Sequence, residues 1–455
     1  MAVLDGSISR AAVLTMDSRA RSAGGAVEPT SRLDRLGALL AGPRARRGIS
    51  LALVLGAAFG LFIWIRQPGD FRGYLFVGDL VLKGKHIYRD SPPLLNTWPP
   101  FFSVASVPLA LMARPTPYLA RGSWILLNYG LLVLIAGILA RVVYGQSLSL
   151  SLSGRSPGMS FLAPGLLVPF LMTARFVLGN FGHLQVNIVI FCLTLGGLYL
   201  QANRRELLGG VAIGLAAALK VMPVVFIPYL VYRRRLRAAS SATAAMLAFS
   251  LSPVLVFGWS QFLDCARWWW REVARGWGIG KMNQSVLAMW DRLLGEGMLP
   301  LVTPGMNAIR RSGDPVVVAM TLLTLAAFVL LAIWAVRVGS DSESGSMAAE
   351  WSAVFVASAI FAPVTWKAYL VVLLLPNTLL YAAWRSDRLD EGSRRLAGIT
   401  LWTGFILGGL TSRGIVGKAL AGRLEMASIV TISALIVLAG VLLLRRRLGE
   451  RPFLA

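Results

Sequence analysis

Residues 122–143 read GSWILLNYGLLVLIAGILARVV, an unbroken apolar stretch with a single charge at Arg141. As an α-helix rising 1.5 Å per residue it would be about 33 Å long, enough to cross the hydrocarbon core of a bilayer. Similar runs occupy 49–65, 99–114, 159–177, 185–202, 206–232, 241–259, 315–337, 350–363, 368–384, 396–411 and 426–444. Of the 455 residues, 56% are hydrophobic and 15% charged. One globular core cannot bury that much apolar surface, so lipid must solvate most of it. Backbone in lipid has to satisfy its own hydrogen bonds, which makes the fold class an all-α polytopic membrane protein with about twelve crossings.

The charge is lopsided, 45 Lys+Arg against 21 Asp+Glu, a formal +24. In a water-soluble chain this would suggest nucleic acid. Here it marks loops held at anionic lipid headgroups and on the cytoplasmic side, and no nucleic-acid partner is expected. The N-terminal tail, Arg204-Arg205, Arg233-Arg234-Arg235-Leu236-Arg237, Arg394-Arg395 and Arg445-Arg446-Arg447 all read as cytoplasmic.

One crossing per run would put Arg204-Arg205 and segment 66–98 on incompatible sides. Two adjustments remove the conflict. The run 159–177, punctuated by Pro164, Gly165, Pro169 and Arg175, is read as re-entrant; the run 206–232 is read as two short helices broken around Lys220 and Pro223. Residues 1–48 then form a disordered cytoplasmic tail. Residues 49–444 form the membrane domain, with extracytoplasmic loops at 66–98 and 260–314 and shorter outer segments at 178–184, 364–367 and 412–425, and 445–455 form a second cytoplasmic tail.

Nothing in the sequence calls for a cofactor. There is no Walker loop, no dinucleotide glycine fingerprint and no zinc spacing. The only histidines are His86 and His183, and the two cysteines fall in an apolar run (Cys192) and a loop (Cys265), so neither a metal site nor a disulfide framework is expected.

The outer segments hold the unusual residues. Pro68-Gly69-Asp70-Phe71-Arg72-Gly73-Tyr74 is followed by Gly78-Asp79, His86, Tyr88 and Trp98-Pro99-Pro100. A carboxylate at the membrane edge can take a proton from an acceptor hydroxyl, and Asp70 is the best placed. It also stands where it could cap an interfacial helix beginning near Phe71. Arg175 and the stretch Gly182-His183-Leu184-Gln185-Val186-Asn187 place a cation and several amides between two spans. Such residues serve function or tie helices together. Lys220 stands alone in an apolar stretch, free either to meet a phosphate or to snorkel. Arg267, Arg271 and Arg275 recur every four residues beside Trp268-Trp269-Trp270, as an interfacial helix would. Lys281-Met282-Asn283-Gln284-Ser285 and Arg292 complete the polar clusters.

In order and spacing these islands resemble glycosyltransferase family 87 of the GT-C superfamily, which includes polyprenyl-phosphate-mannose-dependent mannosyltransferases. The resemblance runs from Asp70 to about Pro376. It rests on Asp70 to Tyr74 with Tyr88 and Trp98-Pro99-Pro100, on Gly182 to Asn187, on Gly209 to Pro223 around Lys220, and on Asn283-Gln284-Ser285 with Arg292. It implies a GT-C fold in the plasma membrane with its active site on the outer face. The implied reaction is inverting transfer of a sugar, most simply mannose, from a polyprenyl phosphate to a glycolipid or cell-envelope acceptor. Asp70 would be the general base, with Arg175, Lys220 and Arg292 holding the leaving phosphate. Tyr74, Asp79, His183, Gln185, Asn187, Asn283, Gln284 and Ser285 complete the expected substrate site. Where the family often carries histidine after a proline, this chain reads Pro363-Val364-Thr365-Trp366-Lys367-Ala368-Tyr369, so Lys367 is expected to take over that charge. Two other classes fit the same residues: a transporter or flippase of lipid-linked substrates, and a catalytically inactive GT-C scaffold. A transporter should need ionisable groups at mid-depth in several paired helices, whereas this chain gathers them toward one face.

Overall fold

The computed structural model describes residues 43–92, 95–149, 158–274, 282–294, 314–336 and 344–448. Residues 1–42 of the expected N-terminal tail, Arg275, Lys281, much of the expected loop 260–314, and the C-terminal residues from 449 lie outside them. Apart from one two-residue parallel pairing, Leu148–Ser149 with Met159–Ser160, the described regular structure is helical.

All twelve apolar runs are helical over most of their length. The first belongs to α1 (Pro43–Trp64), which begins inside the stretch assigned to the tail: proline suits the first helical position, and Arg44, Ala45, Arg46 and Arg47 carry the helix back past Gly48. Segment 66–98, read as a loop, contains α2 (Phe71–Leu82). Its buried Phe71, Tyr74, Val77, Gly78 and Val81 recur at helical spacing. Next come α3 (Pro100–Ala105), α4 (Val107–Met112) and α5 (Pro117–Tyr144). The Thr116 side chain accepts from the Tyr118 amide at the start of α5, and Gly145 at φ 66° closes its end.

The expected re-entrant segment is instead one continuous helix, α6 (Pro164–His183), long and apolar enough to span. Its physical reason is local. Pro169 has no amide for the Gly165 carbonyl, but the Tyr144 hydroxyl donates to that carbonyl at 2.9 Å, so the helix continues. The run 206–232 breaks where the sequence suggested, into α8 (Glu206–Leu219), a 3₁₀ turn (Met222–Val225) and α9 (Phe226–Tyr232), after α7 (Asn187–Ala202). Packing of α7, α8 and α10 (Leu236–Leu251) depends on small residues. A Cβ on Gly197 would meet the Gly209 carbonyl at 2.7 Å, and one on Gly214 would meet Ala245 Cβ at 2.8 Å.

Beyond α10 the chain bends by 84° into α11 (Val254–Trp268), which ends in a π-helical turn, Trp269–Ala274. Cys265, read as a loop residue, is buried in α11. The wider turn after Trp268 interrupts the four-residue register expected of Arg267 and Arg271. Then follow α12 (Val286–Leu294), α13 (Pro315–Ala335), α14 (Ser344–Ile360), a 3₁₀ helix (Lys367–Leu373) continuing into α15 (Leu374–Trp384), α16 (Glu391–Gly404) with a π turn (Phe405–Gly409), α17 (Arg413–Met426) and α18 (Ile429–Leu448). The last helix runs on through Arg445–Arg447 to Leu448, past the end of the apolar run at 444.

Among the described residues, five helices are long and apolar enough to cross a membrane, or up to seven if each bent pair is one span. The sequence suggested about twelve. The difference lies in shorter apolar helices such as Asn187–Ala202 and Glu206–Leu219.

Helix α18, about 30 Å long at 20 residues, separates two ionic groups. At its C-terminal end Arg445 donates to Glu350 at 2.9 Å, and Glu350 also takes Tyr229 at 2.9 Å and faces Arg233 at 3.4 Å. At its N-terminal end lie Glu425 and Ser428, both fully buried. The polar residues singled out by sequence gather at this second end.

Candidate functional site

The site is built where the chain entering α2 is laid against the end of α6. Leu184 adopts the left-handed conformation (φ 50°, ψ 48°), and the Gln185 amide reaches back to the Asn180 carbonyl at 2.9 Å, closing α6 in a Schellman pattern. The Asp70 amide donates to the His183 carbonyl at 2.8 Å. This close approach requires Gly69, which sits at φ 48°; a Cβ there would lie 2.6 Å from the His183 carbonyl carbon. Tyr74 fixes the same junction from below. It is buried edge-on against Phe71, Trp98, Phe102 and Trp124, and its hydroxyl is hydrogen-bonded to the Val186 backbone.

Asp70 occupies the N-cap position of α2, yet its side chain makes no capping hydrogen bond. Its carboxylate accepts from Gln185 Nε2 at 2.7 Å instead. A row of polar groups leads inward from there. Gln185 Oε1 accepts from Asn187 Nδ2 at 2.6 Å, and Asn187 Oδ1 accepts from Lys220 Nζ at 2.5 Å. Asn187 also donates to Asn180, which in turn donates to the Ala368 carbonyl at 2.8 Å, tying α6 and α7 to the 3₁₀ helix. Lys220 is in extended conformation (φ −155°, ψ 121°), so the break after α8 is what aims its ammonium into the site. Nζ lies 3.3 Å from the centroid of the Tyr369 ring, a cation–π contact. Beneath it is a cavity of about 20 Å³ lined by Asn187, Thr194, Lys220, Ser358 and Tyr369 on its polar side.

Asp70 is exposed on one side, where a substrate can reach it. Surrounding protein nevertheless withdraws enough water to hold its carboxyl above the ordinary value, opposed by His183, the Gln185 hydrogen bond and Lys220. Burial and the neighbouring Asp70 charge push the Tyr74 phenol well up, which keeps it neutral.

Arg175 and Lys367 form a second group. Arg175 donates to the Gly408 carbonyl at 2.6 Å, Thr411 Oγ1 at 2.8 Å and Glu425 Oε1 at 3.0 Å, and Lys367 Nζ meets that same Oε1 at 2.5 Å. Arg413 faces Glu425 Oε2 at 3.8 Å. Three cations thus surround one carboxylate. The group adjoins the first because Lys367 is two residues before Tyr369 and Arg175 shares α6 with Asn180.

The remaining expected site residues are placed elsewhere. Asn283, Gln284, Ser285 and Arg292 are all buried. Asn283 donates to the Pro363 carbonyl and accepts from the Thr365 amide, and Gln284 Nε2 donates to the Glu425 carbonyl. Arg292 donates to Ser428 Oγ at 2.7 and 2.9 Å and to the Asn283 carbonyl at 2.7 Å. Together they clasp segment 363–365 and the start of α18, and so position Lys367 and Glu425. Asp79 pairs with Lys83 on the outer side of α2, two turns from Asp70. Sequence reasoning quoted Asn180 and Tyr369 within longer stretches without giving either a role, and passed over Arg413 and Glu425. Of these only Glu425 carried a signal, a lone acid at the start of the last apolar run.

The arrangement joins a reachable carboxylate, suited to accept a proton, to a half-buried ammonium and a cationic group suited to stabilise an anion. The glycosyltransferase family 87 model matches residues 96–363, more than half the chain. That span includes Arg175, His183, Gln185, Asn187, Lys220 and the 283–292 clasp, and stops short of Asp70 and Lys367. The chain is 26% identical over 387 residues to the polyprenol-phosphate-mannose-dependent alpha-(1-2)-phosphatidylinositol mannoside mannosyltransferase of Mycolicibacterium smegmatis, covering 78% of this chain and 80% of that protein. It is 27% identical over 379 residues to the mannosyltransferase of the same description from Mycobacterium tuberculosis, covering 78% and 81%. With its helical membrane architecture and the matched span, the chain belongs to glycosyltransferase family 87.

Proposed function

We propose that this family 87 member transfers mannose from a polyprenyl-phosphate donor to a glycolipid acceptor of the phosphatidylinositol mannoside class, inverting the anomeric centre at the outer face of the plasma membrane. The observation that carries the reading is the row Asp70–Gln185–Asn187–Lys220, which links a reachable carboxylate to a half-buried ammonium through residues from three separate segments. The relatives' printed activities support the donor and the acceptor class. The outer face is supported by the Arg-rich segments, which gather at the other end of α18 and read as cytoplasmic. On this reading the chain crosses the membrane about twelve times, with the shorter helices counted as crossings or half-crossings.

In the reaction, Asp70 takes the proton of the acceptor hydroxyl as its oxygen bonds to the sugar's anomeric carbon. The bond from that carbon to the phosphate oxygen breaks, and the phosphate gains the negative charge that Asp70 loses. Lys220 meets that phosphate, with Arg175 and Lys367 adding positive potential behind it. His183 and Gln185 orient the carboxylate. Asn187 holds Lys220, Tyr74 fixes the Val186 turn, and the 283–292 clasp sets Lys367. Asp79 lies at the rim, where an acceptor headgroup would pass.

The test is transfer of radiolabelled mannose from polyprenyl-phosphate mannose to endogenous lipids, in membranes carrying equal amounts of wild type or Asp70→Asn. Transfer by wild type alone supports the enzyme and its base. Transfer by both removes Asp70 from the mechanism, and transfer by neither, with other polyprenyl-phosphate sugars also tried, would leave a transporter of lipid-linked substrates or an inactive scaffold.

A further inference from the structure

Glu425 is a poor fit to a purely structural ion pair. It is fully buried, and its Oε1 is shared by Arg175 and Lys367, while Oε2, among the described residues, makes no hydrogen bond and faces only Arg413 at 3.8 Å. A carboxylate serving only to neutralise one buried cation would be expected to meet it with both oxygens, because each uncompensated buried charge costs several kcal/mol. Here three cations surround one anion, leaving the group at +2. The surplus has an outlet. The Arg413 side chain is 48% exposed and that of Lys367 21%, so the group opens toward solvent while Arg175, at 10%, anchors its base.

We infer that Glu425 is a resident counter-ion that sets the charge of this cationic wall to match the leaving group, which makes it a positioning and specificity-determining residue. The inference rests on the proposal that the donor phosphate faces this wall. The donor is a phosphodiester carrying one negative charge. The polyprenyl phosphate that leaves is a monoester approaching two, since the charge lost by Asp70 on protonation arrives at the phosphate. A wall at +2 favours the monoester, and therefore the transition state that leads to it, over the diester. At +3 it would hold donor and product too tightly, and product release would slow. At +1 it would lose its preference for the developing charge. Glu425 also holds the two inner cations apart and aimed when no phosphate is bound, sharing one oxygen between them, so that Lys367 can turn from that oxygen to a phosphate without the wall rearranging.

The experiment uses the full-length protein in membranes with two inhibitors: farnesyl phosphate, a monoester like the product, and its methyl diester. Arg413→Gln lowers the wall to +1 without leaving a buried cation unpaired. Glu425→Gln raises it to +3, and the double variant restores +2. A unit charge at about 8 Å in a partly solvated site changes affinity roughly tenfold or more. Inhibition by farnesyl phosphate should therefore tighten roughly tenfold in Glu425→Gln, weaken by a similar factor in Arg413→Gln, and return to the wild-type value in the double variant, with smaller changes for the diester. Arg413→Gln should lower kcat more than it raises donor KM, whereas Glu425→Gln should lower kcat and KM together. If Glu425→Gln fails to accumulate, Arg413→Gln alone still carries the test. Unchanged inhibition in these variants, while Arg175→Gln and Lys367→Met weaken it, overturns the charge-setting role and leaves the phosphate assignment intact. Unchanged inhibition in all of them overturns that assignment as well.

Discussion

Replacing Gly69 by alanine should displace the base from its site with little effect on the fold around it. Gly69 sits at φ 48°, and a Cβ there would come within 2.6 Å of the His183 carbonyl carbon and 2.8 Å of its Cα. Ordinary carbon contacts lie near 3.5 Å, so one strand of backbone must retreat by about 1 Å. His183 ends a packed helix, so the strand that moves is the one carrying Asp70, and its amide bond to His183 is lost. The left-handed conformation and the lost bond together cost about 2 kcal/mol, confined to an edge loop, so protein levels should hold. A 1 Å misplacement of a reacting group lowers the rate about hundredfold. The assay is mannosyl transfer in membranes at matched protein levels. Gly84→Ala serves as control, because Gly84 has a similar φ of 63° with nothing within 4 Å. Activity of Gly69→Ala within about threefold of the control would refute the placement of Asp70 as base.

Other outcomes follow from the same geometry. Because the Asp70 carboxyl is held above its ordinary value, transfer should rise with pH along an acidic limb above the usual carboxylate range; Gln185→Leu, which removes a bond favouring the ionised form, should move that limb to higher pH in a pH–rate profile. The same shift disfavours the charged form in the fold, so its contribution to stability is greatest below the unfolded carboxyl pKa and falls as pH rises through the folded one. Asp70→Asn should therefore melt no lower than wild type at neutral pH in detergent. Tyr369→Phe should preserve transfer, whereas Tyr369→Leu, which removes the ring beneath Lys220, should raise donor KM by roughly three- to thirtyfold in steady-state kinetics. Arg292→Ala removes the buried donor to Ser428 and the Asn283 carbonyl, and should lower stability by about 3 kcal/mol in thermal unfolding; because this clasp positions Lys367, transfer per folded molecule should fall as well.

The apolar runs were legible because lipid imposes a length and a composition that no loop imitates. Lys220 was legible for the complementary reason, a lone ammonium that breaks a run. Asp70, the Gln185–Asn187 pair and Lys220 were singled out from three segments, and the structure brings them together, because each is a polar residue where packing alone would choose otherwise. What could not be read were pairings at long range. Glu425 lies 250 positions from Arg175 and 58 from Lys367, so neither cation's partner is visible in its own neighbourhood. The continuity of α6 was hidden as well, since it depends on the Tyr144 hydroxyl arriving from another helix to answer a carbonyl that Pro169 leaves open. Asn283, Gln284 and Arg292 show the opposite difficulty. A buried polar group turned toward protein and one turned toward substrate have the same letters.

The row from Asp70 to Lys220 has a sense of direction. An ammonium can only give hydrogen bonds and an ionised carboxylate can only receive them. Lys220 therefore compels Asn187 to present its oxygen, and Asp70 compels Gln185 to present its nitrogen, which leaves Asn187 nitrogen facing Gln185 oxygen between them, as found. The two amides could each be turned over only by breaking faith with one end or the other. Once Asp70 carries a proton, that obligation lapses at its end alone, and Gln185 is released while Asn187 stays bound to Lys220. The outer part of the row thus loosens with each turnover and the inner part does not, so the base can shed its proton and reset while the ammonium keeps its aim.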